Sequence, residues 1–178
     1  MQFNKTLISA ALLTVGGFTA ISANAADSSE FSVTTTITSV CDISASAASI
    51  SFTDIAAGST GDEIGSQQSA GDISVMCSND APYVVNLSSA GNADSTTGEG
   101  IMTGTLGDKI TYQLSSNTEG KAWGNTGTLG TDAEGTGVAG IGVGVSTPIL
   151  HPVYAKITSS TDVKQDTYTD TITASIVY

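Results

Sequence analysis

The last eleven residues of the chain alternate without a break. Tyr168, Asp170, Ile172, Ala174, Ile176 and Tyr178 fall on one parity, and Thr169, Thr171, Thr173, Ser175 and Val177 on the other. A period of two gives each set its own face of a β-strand, whereas a helix would scatter both sets around its axis. The same period returns along the chain. Phe31, Val33, Thr35 and Ile37 alternate with Ser32, Thr34, Thr36 and Thr38. Ile73, Val75 and Cys77 share a parity within GDISVMC, and Tyr83, Val85 and Leu87 share another. Shorter strand-like runs occupy 50–55, 109–115, 138–145 and 148–157, and 121–125 carries the single Trp. Polar, Gly-rich connections lie between them at 88–100 and 126–137. No 3.6-residue amphipathic pattern follows residue 25. Many short strands with Gly-rich turns predict an all-β protein, a sandwich or barrel, with no internal domain boundary.

Only 12% of residues are charged, and Gly, Ser, Thr and Ala dominate. That profile overlaps with disorder, but 39% hydrophobic content rich in Val and Ile is enough to build a core. The first 25 residues stand apart. Lys5 supplies a positive start, residues 7–21 an apolar stretch, and Ala23-Asn24-Ala25 a small-residue cleavage site. Thr14, Gly16, Gly17, Thr19 and Ser22 interrupt the run of about 20 apolar residues that a membrane span requires. The expectation is a secretory signal peptide over 1–25, cut after Ala25, and a mature chain with no membrane insertion.

Without Lys5, four Lys face seventeen acidic residues, a net charge of −13, and Arg is absent. Phosphate backbones are bound by Lys and Arg that displace counterions, so nucleic acid and anionic membrane are excluded as partners. Cys41 and Cys77 are an even pair in an exported chain, which predicts one disulfide. Closing that 36-residue separation would contribute about 4 kcal/mol in the chain-entropy account. Two thiols and the distant His151 do not supply four zinc ligands, so no metal is expected.

Chemistry has little to work with. GTGVAG at 135–140, with Asp162 downstream, matches a dinucleotide fingerprint in letters only. That fingerprint requires a strand before it and a helix after it; here β-branched residues, Pro148 and Pro152 follow. A closely packed Gly-rich strand is the better account. His151 is the only His, with no nucleophile elbow to accompany it. The acidic pairs Asp62-Glu63, Asp94 with Glu99, and Asp132 with Glu134 lack the spacing of a calcium loop and read as solvated turns. No catalytic residue, cofactor or enzyme activity is expected.

The two ends of the mature chain carry the remaining information. A short polar leader, 26–30, precedes a strand with one apolar face that runs into Cys41, and the other end stops inside a strand at Tyr178. From pattern alone, the first of these strands either pairs within its own sheet or is lent to another chain, as in β-strand addition.

These features resemble the spore coat U domain family, which includes the major pilins of archaic (Csu-type) chaperone–usher pili. The alternating strand before Cys41 is one point of similarity. GDISVMC, ending in Cys77, resembles the family's G-x-I-S-V-x-C. Residues 148–157 resemble its P-[IV]-x(2)-x-[IVFY] strand, and Tyr168-Thr169-Asp170-Thr171 with the following alternation resembles its Y-x-D-x-[IVL] finish. The long Gly-rich loops have no counterpart.

The resemblance implies an incomplete immunoglobulin-like β-sandwich, 41–178, that lacks its last strand and is completed by a neighbour's donor strand, 26–40. It implies a periplasmic chaperone that covers the groove first, an outer-membrane usher that exchanges it, and identical subunits joined into a cell-surface fimbrium. Phe31, Val33, Thr35 and Ile37 would fill the neighbour's groove. Ile172, Ala174, Ile176 and Tyr178 would line the groove and meet the chaperone. A structural shaft subunit supporting adhesion and biofilm is the leading expectation. A minor or tip adhesin, or a monomeric secreted binding or coat protein, is the alternative.

Overall fold

The computed structural model describes residues 28–45, 49–68, 71–130 and 136–178. The expected signal peptide, 1–25, lies outside these residues. The chain divides into two compact units, Met1–Thr36 and Ile37–Tyr178. In the first, residues 28–36 form neither helix nor strand, and all are exposed.

The second unit is built from strands. They are β1 (Cys41–Ser44), β2 (Ser66–Gln68), β3 (Ile73–Cys77), β4 (Pro82–Ser89), β5 (Glu99–Gly104) and β6 (Lys109–Ser115), then β7 (Val138–Ile141), β8 (Ile149–His151), β9 (Tyr154–Ile157), β10 (Tyr168–Thr169) and β11 (Ile172–Val177). One helical turn, α1 (Gly61–Ile64), interrupts them, and a capping box between Thr60 and Glu63 satisfies its first amides. Every ladder is antiparallel. The strands form a five-stranded sheet, β10-β5-β6-β9-β2, and two three-stranded sheets, β1-β3-β8 and β11-β4-β7. The all-β class expected from the alternation is the class observed.

The expected strands are cut where backbone chemistry demands it. Residues 148–157 split into β8 and β9 around Pro152, which has no N–H for a ladder. The C-terminal run splits at Asp170 and Thr171, where the chain leaves one sheet for another. Residues 50–55 join no ladder, although Ile50 and Phe52 still pack against the core. In the other direction, β5 begins at Glu99, inside the stretch that composition marks as loop.

Trp123 is fully buried among Tyr83, Val85, Leu87 and Leu114, and its indole N–H donates to the Val85 carbonyl at 2.8 Å. Cys41 and Cys77 are direct cross-strand partners in the β1–β3 ladder, and their sulfurs are bonded. The predicted disulfide is therefore present.

Strand β4 is buried from Tyr83 to Leu87, on both faces. Tyr83, Val85 and Leu87 enter the core, while Gly127 and Gly137 lie against Val84 and Asn86 on the other face. The Asn86 side-chain amide donates to the Gly127 carbonyl at 3.0 Å and accepts from the Gly127 N–H at 2.9 Å, as a strand segment would. A Cβ on Gly137 would lie 2.5 Å from Asn86 Oδ1, and one on Gly140 2.3 Å from the Tyr83 ring. These two glycines of the GTGVAG run serve close packing against β4.

His151 ends β8 half-buried, edge-on to the Tyr83 and Trp123 rings. Its Nε2 is 2.8 Å from the Tyr83 hydroxyl. Burial lowers its pKa from the ordinary 6.5, against a smaller upward pull from Asp72. The folded chain thus keeps this imidazole neutral where the unfolded chain takes a proton. Its contribution to stability is complete above the unfolded value and is lost as pH falls below it. Thermal melts from about pH 7.5 down to about pH 5 should show a steeper fall in Tm for the wild type than for His151→Gln. Parallel slopes for the two proteins would contradict this role.

Candidate functional site: an apolar groove along a sheet edge

Strand β1 is an edge of one three-stranded sheet and β11 an edge of the other. The two lie side by side, yet no ladder joins them among the described residues. β1 spends its hydrogen bonds on β3, and Val40 extends that ladder through Ser78. β11 spends its own on β4, extended by Ala90 N–H to the Thr171 carbonyl. Each strand therefore keeps a row of backbone groups on its outer side.

A cavity of about 410 Å³ opens along the β11 edge, and Ala45, directly after β1, reaches its other side. Its rim is Ala45, Ser49, Ile50 and Phe52 on one side and 168–172 with Ala174 on the other. Its floor is Ile73 and Leu87 together with Met102, Tyr112, Leu114, Val153 and Ala155. Leu87, Leu114 and Ala155 are almost wholly buried, so the floor is the apolar core itself. This volume falls in the range of about 300–1,000 Å³ typical of ligand-sized sites.

The structure distributes the residues singled out by sequence as follows. Ile172 and Ala174 line the cavity. Ile176 is half-buried against the core further along β11, and Tyr178 is 53% exposed beyond the strand's end. Phe31, Val33 and Ile37 are 89%, 85% and 87% exposed, and Thr35 is exposed with them. Residues 28–39 join no ladder among the described residues, and Val40 only extends that of β1 with β3. The floor residues of β5, β6 and β9 were not legible as site residues, because only the long-range pairing of β6 with β5 and β9 gathers them.

One polar cluster closes the end of the groove. Asp170 Oδ2 accepts hydrogen bonds from Ser89 Oγ of β4 at 2.5 Å and Tyr112 Oη of β6 at 2.6 Å. Its Oδ1 accepts from the Gly91 N–H at 2.8 Å and from the Thr171 N–H at 2.7 Å. Burial alone would raise its pKa; the Ser89 and Tyr112 hydroxyls and the two amides outweigh burial and hold it below the ordinary 3.8. Burial, and then Asp170 beside it, push the Tyr112 hydroxyl well above 10. Among the described residues, no group of three His, Cys, Asp or Glu side chains is placed to hold a metal, and no helix is long and apolar enough to cross a membrane.

An accessible apolar cavity should take up an apolar reporter dye. The monomeric chain is expected to enhance the fluorescence of such a dye, and Ala174→Phe, which adds a ring at the rim, should reduce the signal several-fold while the disulfide stays formed. An unchanged signal would place the dye elsewhere.

No curated protein matches the chain. Among solved structures, it is similar to the chaperone–tip adhesion subunit pre-assembly complex CsuC–CsuE from archaic chaperone–usher Csu pili of Acinetobacter baumannii. That likeness has a TM-score of 0.50 at 20% identity and covers 80% of this chain and 41% of the other. The chain thus spans about two-fifths of the length of the chain it matches, and the likeness concerns the all-β fold alone. The family model described as the Spore Coat Protein U domain matches residues 27–175. The chain belongs to the Spore Coat Protein U domain family.

Proposed function

We propose that this protein is a structural subunit of a chaperone–usher pilus and polymerises by donor-strand exchange. Residues 1–25 are removed on export, 26–40 are the donor strand, and 41–178 are the accepting sandwich. The observation that carries the reading is the edge strand β11, which has a ladder partner on one side only among the described residues and whose Ile172 and Ala174 line an apolar cavity. It is supported by the apolar-faced segment 31–37 of the same chain, whose large side chains are solvent-exposed. An exposed edge with an apolar groove is an aggregation hazard unless a strand covers it.

In this account a periplasmic chaperone covers the groove, and the outer-membrane usher replaces it with the donor strand of the next identical subunit. Phe31, Val33 and Ile37 each gain about 1.5–3 kcal/mol when fully buried, and each ladder hydrogen bond adds about 1 kcal/mol net. Thr35 fills the remaining, smaller position. Every subunit gives to one neighbour and accepts from another, a contact that does not close and therefore grows a fibre. The fibre is a cell-surface fimbrium that supports adhesion and biofilm, and it needs no cofactor and no catalytic group. A tip or minor subunit is the second reading, favoured by the tip adhesion subunit named in the similar complex; a donor-type strand ahead of Cys41 favours the shaft.

Alternation decides the test. Val33→Asp or Ile37→Asp puts a carboxylate into an apolar groove at a cost of several kcal/mol, while Thr34→Asp leaves the same charge in water. The first two should abolish detergent-resistant polymers and the third should leave them intact. Equal effects on both faces would contradict the register, and no effect on either would contradict strand donation.

A further inference from the structure

Asp170 stands on the inward parity of the C-terminal run, in series with Ile172, Ala174 and Ile176, where a carboxylate has no packing reason to be. Its location explains it. β10 belongs to the five-stranded sheet through β5, and β11 to a three-stranded sheet through β4. Asp170 is the residue at which the chain crosses between them. Its carboxylate grips Ser89 at the end of β4 and Tyr112 in the middle of β6, so a single side chain ties two sheets to the start of the groove's β11 wall. All four lone-pair directions of the carboxylate are used by this chain's own donors. Asp170 therefore has nothing left to offer an incoming strand, and its work is positional.

We propose that Asp170, with Ser89 and Tyr112, is a clasp that holds the acceptor groove open and sets the position of its β11 wall before a donor strand arrives. This deepens the pilus reading and rests on it. A wall with a ladder partner on one side only is free to fold inward over an empty apolar cavity, which would bury the floor. The clasp pins the end of that wall at a fixed separation, because Tyr112 comes from the floor and Ser89 from the neighbouring strand. Donor uptake then scales with the fraction of molecules whose groove is in the open arrangement. The clasp is made of bonds to an ionised group, the stronger class of protein hydrogen bond, so its loss should lower uptake by about tenfold or more.

The groups that face the carboxylate are the Ser89 hydroxyl from β4, the Gly91 amide from the turn after it, the Tyr112 hydroxyl from β6 and the Thr171 amide. Tyr112 is the titratable one, and it stays protonated far above neutrality. The clasp therefore changes with pH only through Asp170 itself. A carboxylate with a depressed folded pKa is ionised above its unfolded value and loses its contribution as pH falls through the folded one.

The experiment compares full-length wild type, Asp170→Asn and Tyr112→Phe. Monomeric fractions are incubated between about pH 7 and about pH 3, and the rate at which detergent-resistant ladders appear is measured. At neutral pH both variants should polymerise about tenfold more slowly than wild type. As pH falls, the wild-type rate should drop toward that of Asp170→Asn, so the ratio closes. Mere loss of stability would lower the melting temperature of the variants but leave their ladder rates at neutral pH equal to wild type at temperatures well below every melt. Tyr112→Phe keeps the ring in the floor and removes one hydroxyl, so it carries the comparison if Asp170→Asn fails to fold. Equal rates at neutral pH, or a ratio that does not change with pH, would overturn the clasp while leaving the pilus reading standing. No ladders from wild type at any pH would overturn both.

Discussion

A strand at the edge of a sheet presents a row of backbone N–H and C=O groups that its own chain does not use, and each is a strong hydrogen-bonding group. Water can satisfy such a row, but water cannot cover the apolar side chains beneath it. In this protein the two requirements coincide at one place. β11 ends a sheet, and the core is accessible past it between Ile50 and Phe52 on one side and Ile172 and Ala174 on the other. A strand laid along β11 would meet both needs at once, through ladder bonds to that edge and side chains facing the floor. Much else in the unit follows from keeping that place intact.

The two edge strands are secured by different chemistry. β1 is fixed to β3 covalently, by Cys41 and Cys77 at directly opposed positions. β11 is fixed to β4 by its ladder and, at its entry, by the Asp170 carboxylate. Behind them, Trp123 bonds to β4, and Gly127 and Gly137 pack on the outer face of that strand. β4 is thus buried on both faces and forms a firm backing for the wall it carries.

The parity of side chains was readable from sequence because a period of two survives whatever tertiary context surrounds it. That is why Ile73, Val75 and Cys77 fall on one shared face and Tyr83, Val85 and Leu87 on another, and all six are buried. The even cysteine pair in an exported chain was enough to expect the disulfide. The cavity floor was hidden, since Met102, Leu114 and Ala155 come together only through ladders among β5, β6 and β9, and local pattern does not encode pairing. β5 was obscured by its own glycines; a Cβ at Gly100 would lie 2.1 Å from the Tyr112 ring, so packing and not disorder put glycine there. One available signal went unused. Asp170 broke the apolar series of its own face, and a charged residue on an inward parity marks a built interaction.

Residues 31–37 of another copy are proposed to fill the apolar groove along β11. Electron cryo-microscopy of fibres assembled from the mature chain, at a resolution that traces side chains, tests this most directly. Continuous density is expected for one subunit's Phe31, Val33, Thr35 and Ile37 running along β11 of the next, with these four side chains over Leu87 and Leu114. Density that left this groove empty, or filled it with a different segment, would contradict it.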